Sequence, residues 1–207
     1  MTTSGEALEL AHLQGFTGKF RQLVLGSTGS LHTGAVIYTI GSVVVLEDAS
    51  DTHEQVFLTG HDNDVSALAL SPCGTFLASG QMGSMLHVGA AAPVIVWRLS
   101  TLADGRMAGT RVYTLTGLTA KVRNLAFSAD SKLLVATAGM REAGGAPIVV
   151  WEMSAGQVVA AHTIDAPITT VDWVPIESLT ERPSVRVIII LRSTYNSILH
   201  HFNDIIK

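Results

Sequence analysis

The chain has 207 residues, 47% of them hydrophobic and only 14% charged, with a formal net charge of −4. The charged share is well short of the ~25% of ordinary soluble domains, so much of the surface must be buried in a core or against partners, and no basic field argues for nucleic acid. A single cysteine, Cys73, excludes a disulfide framework and points to a reducing compartment; no apolar run approaches the ~18 residues of a membrane span.

Residues 1–12 read as a flexible lead-in. Met1–Leu10 carries Glu6 and Glu9 without a basic start or an apolar core, so it is not expected to be a signal peptide. The cytoplasm, or something built from it, is the expected location. Gly15-Phe16-Thr17-Gly18 is turn-rich. Arg21–Leu25, Ala35–Ile40, Ser42–Leu46 and Glu54–Leu58 then predict four short strands, with Gly26–Gly34 a loop and Gly41 a turn.

Phe57–Trp97 is the most specific stretch. Phe57-Leu58-Thr59-Gly60-His61 leads into an acidic turn, Asp62-Asn63-Asp64, and the run Val65–Leu70. Ser71-Pro72-Cys73-Gly74 is a turn in which Pro sets one dihedral and Gly is free to take positive φ. Thr75–Ser79 and Pro93-Val94-Ile95-Val96-Trp97 follow, and Arg111–Leu115 closes the unit. Short apolar runs opened by Gly-His and closed by Trp are the signature of a WD-type β-propeller blade, a four-stranded antiparallel sheet stacked between neighbours. Burial on both faces explains the near-continuous apolar strands.

The pattern recurs. Val122–Ser128 matches Val65–Ser71, Leu133–Gly139 matches Phe76–Gly80, and Pro147–Trp151 matches Pro93–Trp97, with Gln157–His162 as the last strand. Leu118 stands where His61 does, Thr137 is expected to replace Ser79, and in the first unit Leu46 is expected at the tryptophan place. Trp97 and Trp151 lie 54 positions apart, beyond the usual ~40–45. The excess is assigned to loops at Gln81–Ala92, Ala103–Thr110 and Met140–Ala146. A fourth unit has strands at Ile168–Val174, Val185–Leu191 and Ser197–Phe202 and lacks a fourth strand. The expected fold is therefore all-β: about four WD-repeat blades, near 21–58, 65–115, 122–162 and 168–202, making residues 13–207 an incomplete portion of a larger propeller. An unclosed row leaves apolar end faces, so self-association through those open ends is expected.

His61, Ser79, Trp97, Thr137 and Trp151 are the expected members of a structural blade network. The acidic residue that usually completes it is missing between Gln81 and Pro93. No catalytic, cofactor or metal site is expected. His200 and His201 are adjacent on a strand and so point to opposite faces. His61, His87 and His162 have no zinc-type spacing. The Gly-rich stretches Gly83–Gly89 and Gly139–Gly145 lack the ending of a phosphate loop. Met82, Met85, Leu86 and Val88 form a candidate contact loop, which either adapts to a partner or folds back to cap the blade edge.

Gly15-Phe16-Thr17-Gly18, Val36-Ile37-Tyr38, Gly41–Val45, Phe57–Ser66 and Leu77–Gln81 together resemble the N-terminal region of the axonemal WD-repeat proteins of cilia and flagella. The echinoderm microtubule-associated protein-like family shares much of the pattern. Ser-Gly-Gln followed by a long loop, in place of a tight Asp turn, sets both apart from the generic repeat. The resemblance is good over about residues 12–100 and weak after Val174. It implies two tandem propellers in a much longer chain. It also implies a non-catalytic structural role in ciliary doublet microtubules, with tubulin and other axonemal proteins as partners and no nucleic acid or membrane. Cytoplasmic microtubule-associated or generic peptide-docking scaffolds are the alternatives.

Overall fold

The computed structural model describes residues 10–16, 18–20, 23–26, 34–83, 91–139, 145–174, 186–192 and 197–202; for 174, 186–192 and 197–202 it describes the backbone alone. Every regular element among them is a strand. The first sheet holds β1 (Val24–Gly26), β2 (Ala35–Ile40), β3 (Val43–Asp48) and β4 (Gln55–Leu58). The second holds β5 (Val65–Leu70), β6 (Phe76–Gln81), β7 (Val94–Thr101) and β8 (Met107–Leu115). The third holds β9 (Val122–Phe127), β10 (Leu133–Ala138), β11 (Ala146–Glu152) and β12 (Gln157–Ile164). The last is three-stranded, with β13 (Ile168–Val174), β14 (Arg186–Arg192) and β15 (Ser197–Phe202). Each is an antiparallel meander in chain order. Contacts run from β1 to β5, from β5 to β9 and from β9 to β13, so the first strands converge on a common axis. This is an open, incomplete propeller.

One difference from the sequence reading concerns Ala103–Thr110. Only its first half is a connection: Met107–Thr110 is strand, and β7 and β8 form a long hairpin closed by a tight turn. Leu102 N donates to Arg106 O at 2.8 Å, and Gly105 takes φ +88°. Asp104-Gly105 is a strong hairpin signal, and Asp104 also accepts from Arg106 N at 3.1 Å. The added length of this repeat thus lies partly in strand, not loop.

The turns between first and second strands repeat closely. Ser71 N donates to Phe76 O (2.8 Å) and its hydroxyl accepts from Phe76 N (2.9 Å); Ser128 does the same with Leu133, at 2.9 Å in both cases. Gly74 has φ +73°, and at the matching place Ser131 is the only described non-glycine residue with positive φ, +60°. Cys73 N donates to Ser131 Oγ at 3.2 Å, which ties the two turns together. Burial raises the exposed Cys73 thiol, but hydrogen bonds from Ser131, Ser71 and Thr75 outweigh it and bring the pKa down to about 7.

Three apolar layers fill the spaces between sheets. Ile37, Val44, Leu46 and Leu58 meet Leu68, Leu77, Ile95 and Trp97. Ala78, Val94, Val96 and Leu115 meet Leu118, Val122, Leu134 and Trp151. Val135, Ile148 and Val150 meet Ile168, Val171 and Trp173. Hydrogen bonds cross these layers: Ser66 Oγ to Val122 O at 2.8 Å, and Trp173 Nε1 to Ala126 O at 2.9 Å. The sheets approach so closely at Gly80 that a Cβ there would lie 2.5 Å from Val122 Cγ1.

Gly80→Ala should therefore run against the usual gain of ~0.4–1 kcal/mol for a compatible Gly→Ala exchange. The stiff, buried Val122 has nowhere to move, and a loss of about 1–3 kcal/mol is expected from overpacking. Urea unfolding measures it; a neutral or stabilised variant would refute the close approach.

Candidate functional site

The polar centre of the second sheet is a chain of five side chains. Gly60, at φ +151°, turns the backbone so that His61 enters the interior; Gly117 at +121° and Gly15 at +124° make the same turn before Leu118 and Phe16. A side chain at these dihedrals is strained, which is the reason for glycine. His61 Nε2 lies 2.7 Å from Ser79 Oγ, and Trp97 Nε1 donates to the same oxygen at 2.7 Å. His61 Nδ1 lies 2.8 Å from Gln81 Oε1, and Gln81 Nε2 donates to Asp62 Oδ1.

The directions follow from the ends. The Asp62 carboxylate only accepts, so it orients the Gln81 amide with Oε1 toward His61. Nδ1 then carries the proton, neutral Nε2 accepts from the Ser79 hydroxyl, and Ser79 accepts from Trp97. Burial pulls the His61 pKa below its ordinary 6.5, with the Gln81 bond and the Asp62 charge opposing. Gln81 was not singled out from sequence. It is fully buried and, with Asp62 from the preceding turn, supplies the acceptor that the missing aspartate would have provided. The signal was present in Ser-Gly-Gln.

Trp151 occupies in the third sheet the place of Trp97: they pair with Leu134 and Leu77 respectively. Thr137 does not take Ser79's place. Ser79 lies opposite Ile95, two positions beyond Leu77; two beyond Leu134 is Ala136, opposite Val149. Thr137 lies opposite Ile148, on the face toward the fourth sheet, where its Oγ1 accepts from Asn124 Nδ2 at 2.8 Å. The third sheet thus replaces histidine and serine together, by Leu118 and Ala136.

Nor does Leu46 hold the tryptophan place in the first sheet. Val44 pairs with Leu58 as Val94 pairs with Leu115, so Trp97 corresponds to Glu47 and Ser79 to Tyr38. Tyr38 Oη donates to Glu47 Oε2 at 2.6 Å and Gln55 Nε2 donates to the same oxygen at 2.7 Å. Burial and the Glu47 carboxylate push the Tyr38 phenol up to about 12. Gln55 also exchanges hydrogen bonds with both backbone groups of Leu13, at 2.9 and 3.0 Å. This face borders a cavity of about 390 Å³ lined by Leu13, Phe16, Val24, Val36 and Tyr38. In the candidate contact loop, Met82 is half-buried and its N donates to Asp64 O at 2.9 Å; Met85, Leu86 and Val88 lie outside the described residues. His87, His200 and His201 do too, at least in their side chains.

Repeating glycine turns, stacked four-stranded meanders and a buried His–Ser–Trp chain are the marks of a WD-repeat protein. The "WD domain, G-beta repeat" family matches residues 52–88 and 109–140, so this chain carries WD repeats. Its particular likeness is to cilia- and flagella-associated protein 52. The Chlamydomonas reinhardtii protein of that name is 33% identical over 155 residues, which is 70% of this chain and 23% of the relative. The Homo sapiens protein is 34% identical over 139 residues, 63% of this chain and 20% of the relative. Centriole proteome protein 16 of Chlamydomonas reinhardtii is 30% identical over 168 residues, 68% of this chain and 8% of the relative. The chain thus spans less than a quarter of the length of these relatives.

The buried imidazole gives a pH signature. The folded pKa of His61 lies below the unfolded value, so the unfolded chain binds more protons and stability is lost as pH falls through and below 6.5. The urea midpoint should drop between about pH 7.5 and about pH 5.5. In a His61→Leu/Ser79→Ala/Gln81→Ala variant, which copies Leu118, Ala136 and Ala138 of the third sheet, that part of the slope should vanish; an unchanged slope would show that His61 is not its source.

Proposed function

We propose that this chain is a non-catalytic structural component of axonemal doublet microtubules in cilia and flagella, a scaffold that binds tubulin and neighbouring axonemal proteins. The likeness to proteins named cilia- and flagella-associated protein 52 carries this reading. The geometry supports it. Among the described residues, the histidine–serine pair that could suggest a nucleophile is buried between sheets and committed to holding Trp97, where no substrate reaches it. Tagged chain expressed in a ciliated cell should run along the axoneme and stay with the doublets after detergent extraction. Label on cytoplasmic microtubules instead, or a diffuse signal, would overturn the proposal.

Such a scaffold also associates through its ends. Phe16 and Val24 occupy the places of His61 and Leu68, by the shared glycine turn and by pairing with Tyr38 as Leu68 pairs with Ser79. His61 and Leu68 are 8% and 6% exposed under the first sheet, whereas Phe16 and Val24 are each 51% exposed. The outer face of the first sheet is thus the seat of another blade. The uncovered apolar side chains of this face, and an edge strand, β15, that no other described strand pairs, drive association. Light scattering after size exclusion should give a mass above the monomer that rises with concentration. A compact monomer at all concentrations with one cooperative unfolding transition would refute it.

A further inference from the structure

The ends at which β1, β5 and β9 begin share one rim of the molecule. Lys19 and Phe20 precede β1, Asp64 directly precedes β5, and Lys121 directly precedes β9. Lys19 Nζ is 2.9 Å from Asp64 Oδ2, which bridges the first two. Lys121 Nζ stands 3.7 Å from the centroid of the Phe20 ring, which joins the third to the first. Two residues on, Arg123 lies beside the end of β10: a Cβ on Gly139 would sit 3.5 Å from its Nε.

Lys121 and Arg123 are like charges two residues apart at the start of β9. Burial, and then the charge of Arg123, lowers the pKa of Lys121. Among the described residues neither cation has a carboxylate partner; Asp64 is engaged by Lys19 and Asp62 by the Gln81 amide. Lys121 is held over an aromatic ring, and the exposed Arg123 has its guanidinium beside Gly139. Their mutual repulsion favours an anion at this rim. Met82, bonded through its backbone to Asp64, adds an apolar side chain to the same rim.

We infer that this rim is a docking site for an acidic polypeptide segment, its carboxylates meeting Lys121 and Arg123 where the first strands converge. The inference rests on the scaffold reading above and names the chemistry of one partner. A chain of net charge −4 repels acidic polypeptides overall, so a local basic pair is what selects them.

Fluorescence anisotropy of the full chain with a labelled oligoglutamate peptide tests it. Saturable binding is expected, weakening as salt is raised. Lys121→Glu/Arg123→Glu should weaken it by at least about tenfold, and Lys132→Glu, beyond the far end of β9, by less than about twofold. Lys121→Gln/Arg123→Gln, which leaves the packing nearly unchanged, should also lose most of the binding; native near-UV circular dichroism certifies each variant as folded. Unchanged affinity in the folded charge variants overturns the inference. So does displacement of the peptide by a single-stranded oligonucleotide or inorganic phosphate at lower concentration than by unlabelled oligoglutamate. Axonemal localisation without oligoglutamate binding sinks this inference alone, whereas binding without localisation sustains it and sinks only the scaffold assignment.

Discussion

The stacking of one sheet face on the next is the constraint on which the rest of this structure depends. An interior blade has no solvent face, so its strands cannot alternate apolar with polar as an ordinary half-exposed sheet does. Both faces must instead fit a neighbour. The fit is tight enough that bare backbone is required at particular points. Gly80 faces Val122 across one layer, and a Cβ on Gly109 would lie 2.5 Å from Leu58 Cδ2 across another. The glycines at 60 and 117 serve the same end differently: their positive φ turns the next residue inward under the preceding sheet.

Within this apolar stack a polar group is tolerated only when its whole set of partners is present. The second and third sheets solve the problem in opposite ways. In one, His61, Ser79 and Gln81 form an unbroken chain from the buried Trp97 to Asp62 at the surface. In the other, Leu118 and Ala136 remove the polar groups altogether, and Trp151 packs against them. Either set is self-consistent, and a hybrid is not: histidine over alanine would leave a buried ring nitrogen unpaired. The first sheet is a third case. Tyr38 and Glu47 form a polar pair on a face whose neighbour is not part of the described residues, and Gln55 ties that pair to the backbone of Leu13.

The strands were legible because each short apolar run ends in turn chemistry with a definite cause, as at Ser71–Gly74 and Gly41. His61, Ser79 and Trp97 were legible as a set because they stand at the places that the WD repeat pattern keeps for a histidine, a serine and a tryptophan. What could not be read was which face a residue takes. Shifting a strand by one residue exchanges its faces, and where both faces are apolar the pattern does not betray the slip. Thr137 for Ala136 and Leu46 for Glu47 are both errors of one position. The long β7–β8 hairpin is hidden for another reason: Met107–Thr110 is a weakly apolar strand on the periphery, without the run of apolar residues that marks the others.

Blade faces are consumed by stacking, and this limits where recognition can occur. Only the rims, the periphery and the two end faces remain. Among the charges of this chain, Lys19, Asp62, Asp64, Lys121 and Arg123 stand at one rim, with Asp165 in the turn before β13, and Asp130 and Lys132 stand at the other. At the second rim Asp130 lies 3.7 Å from Lys132 and accepts the Ser128 hydroxyl at 2.7 Å, so its charge is spent on the turn. At the first, Lys19 and Asp64 cancel while Lys121 and Arg123 reinforce each other. Electrostatic selectivity therefore belongs to the first rim. The outer face of the first sheet, with its exposed Phe16 and Val24, contributes apolar attachment instead. A scaffold built this way separates the two tasks: end faces bind by shape and burial, which tolerate salt, and the rim selects by charge, which does not.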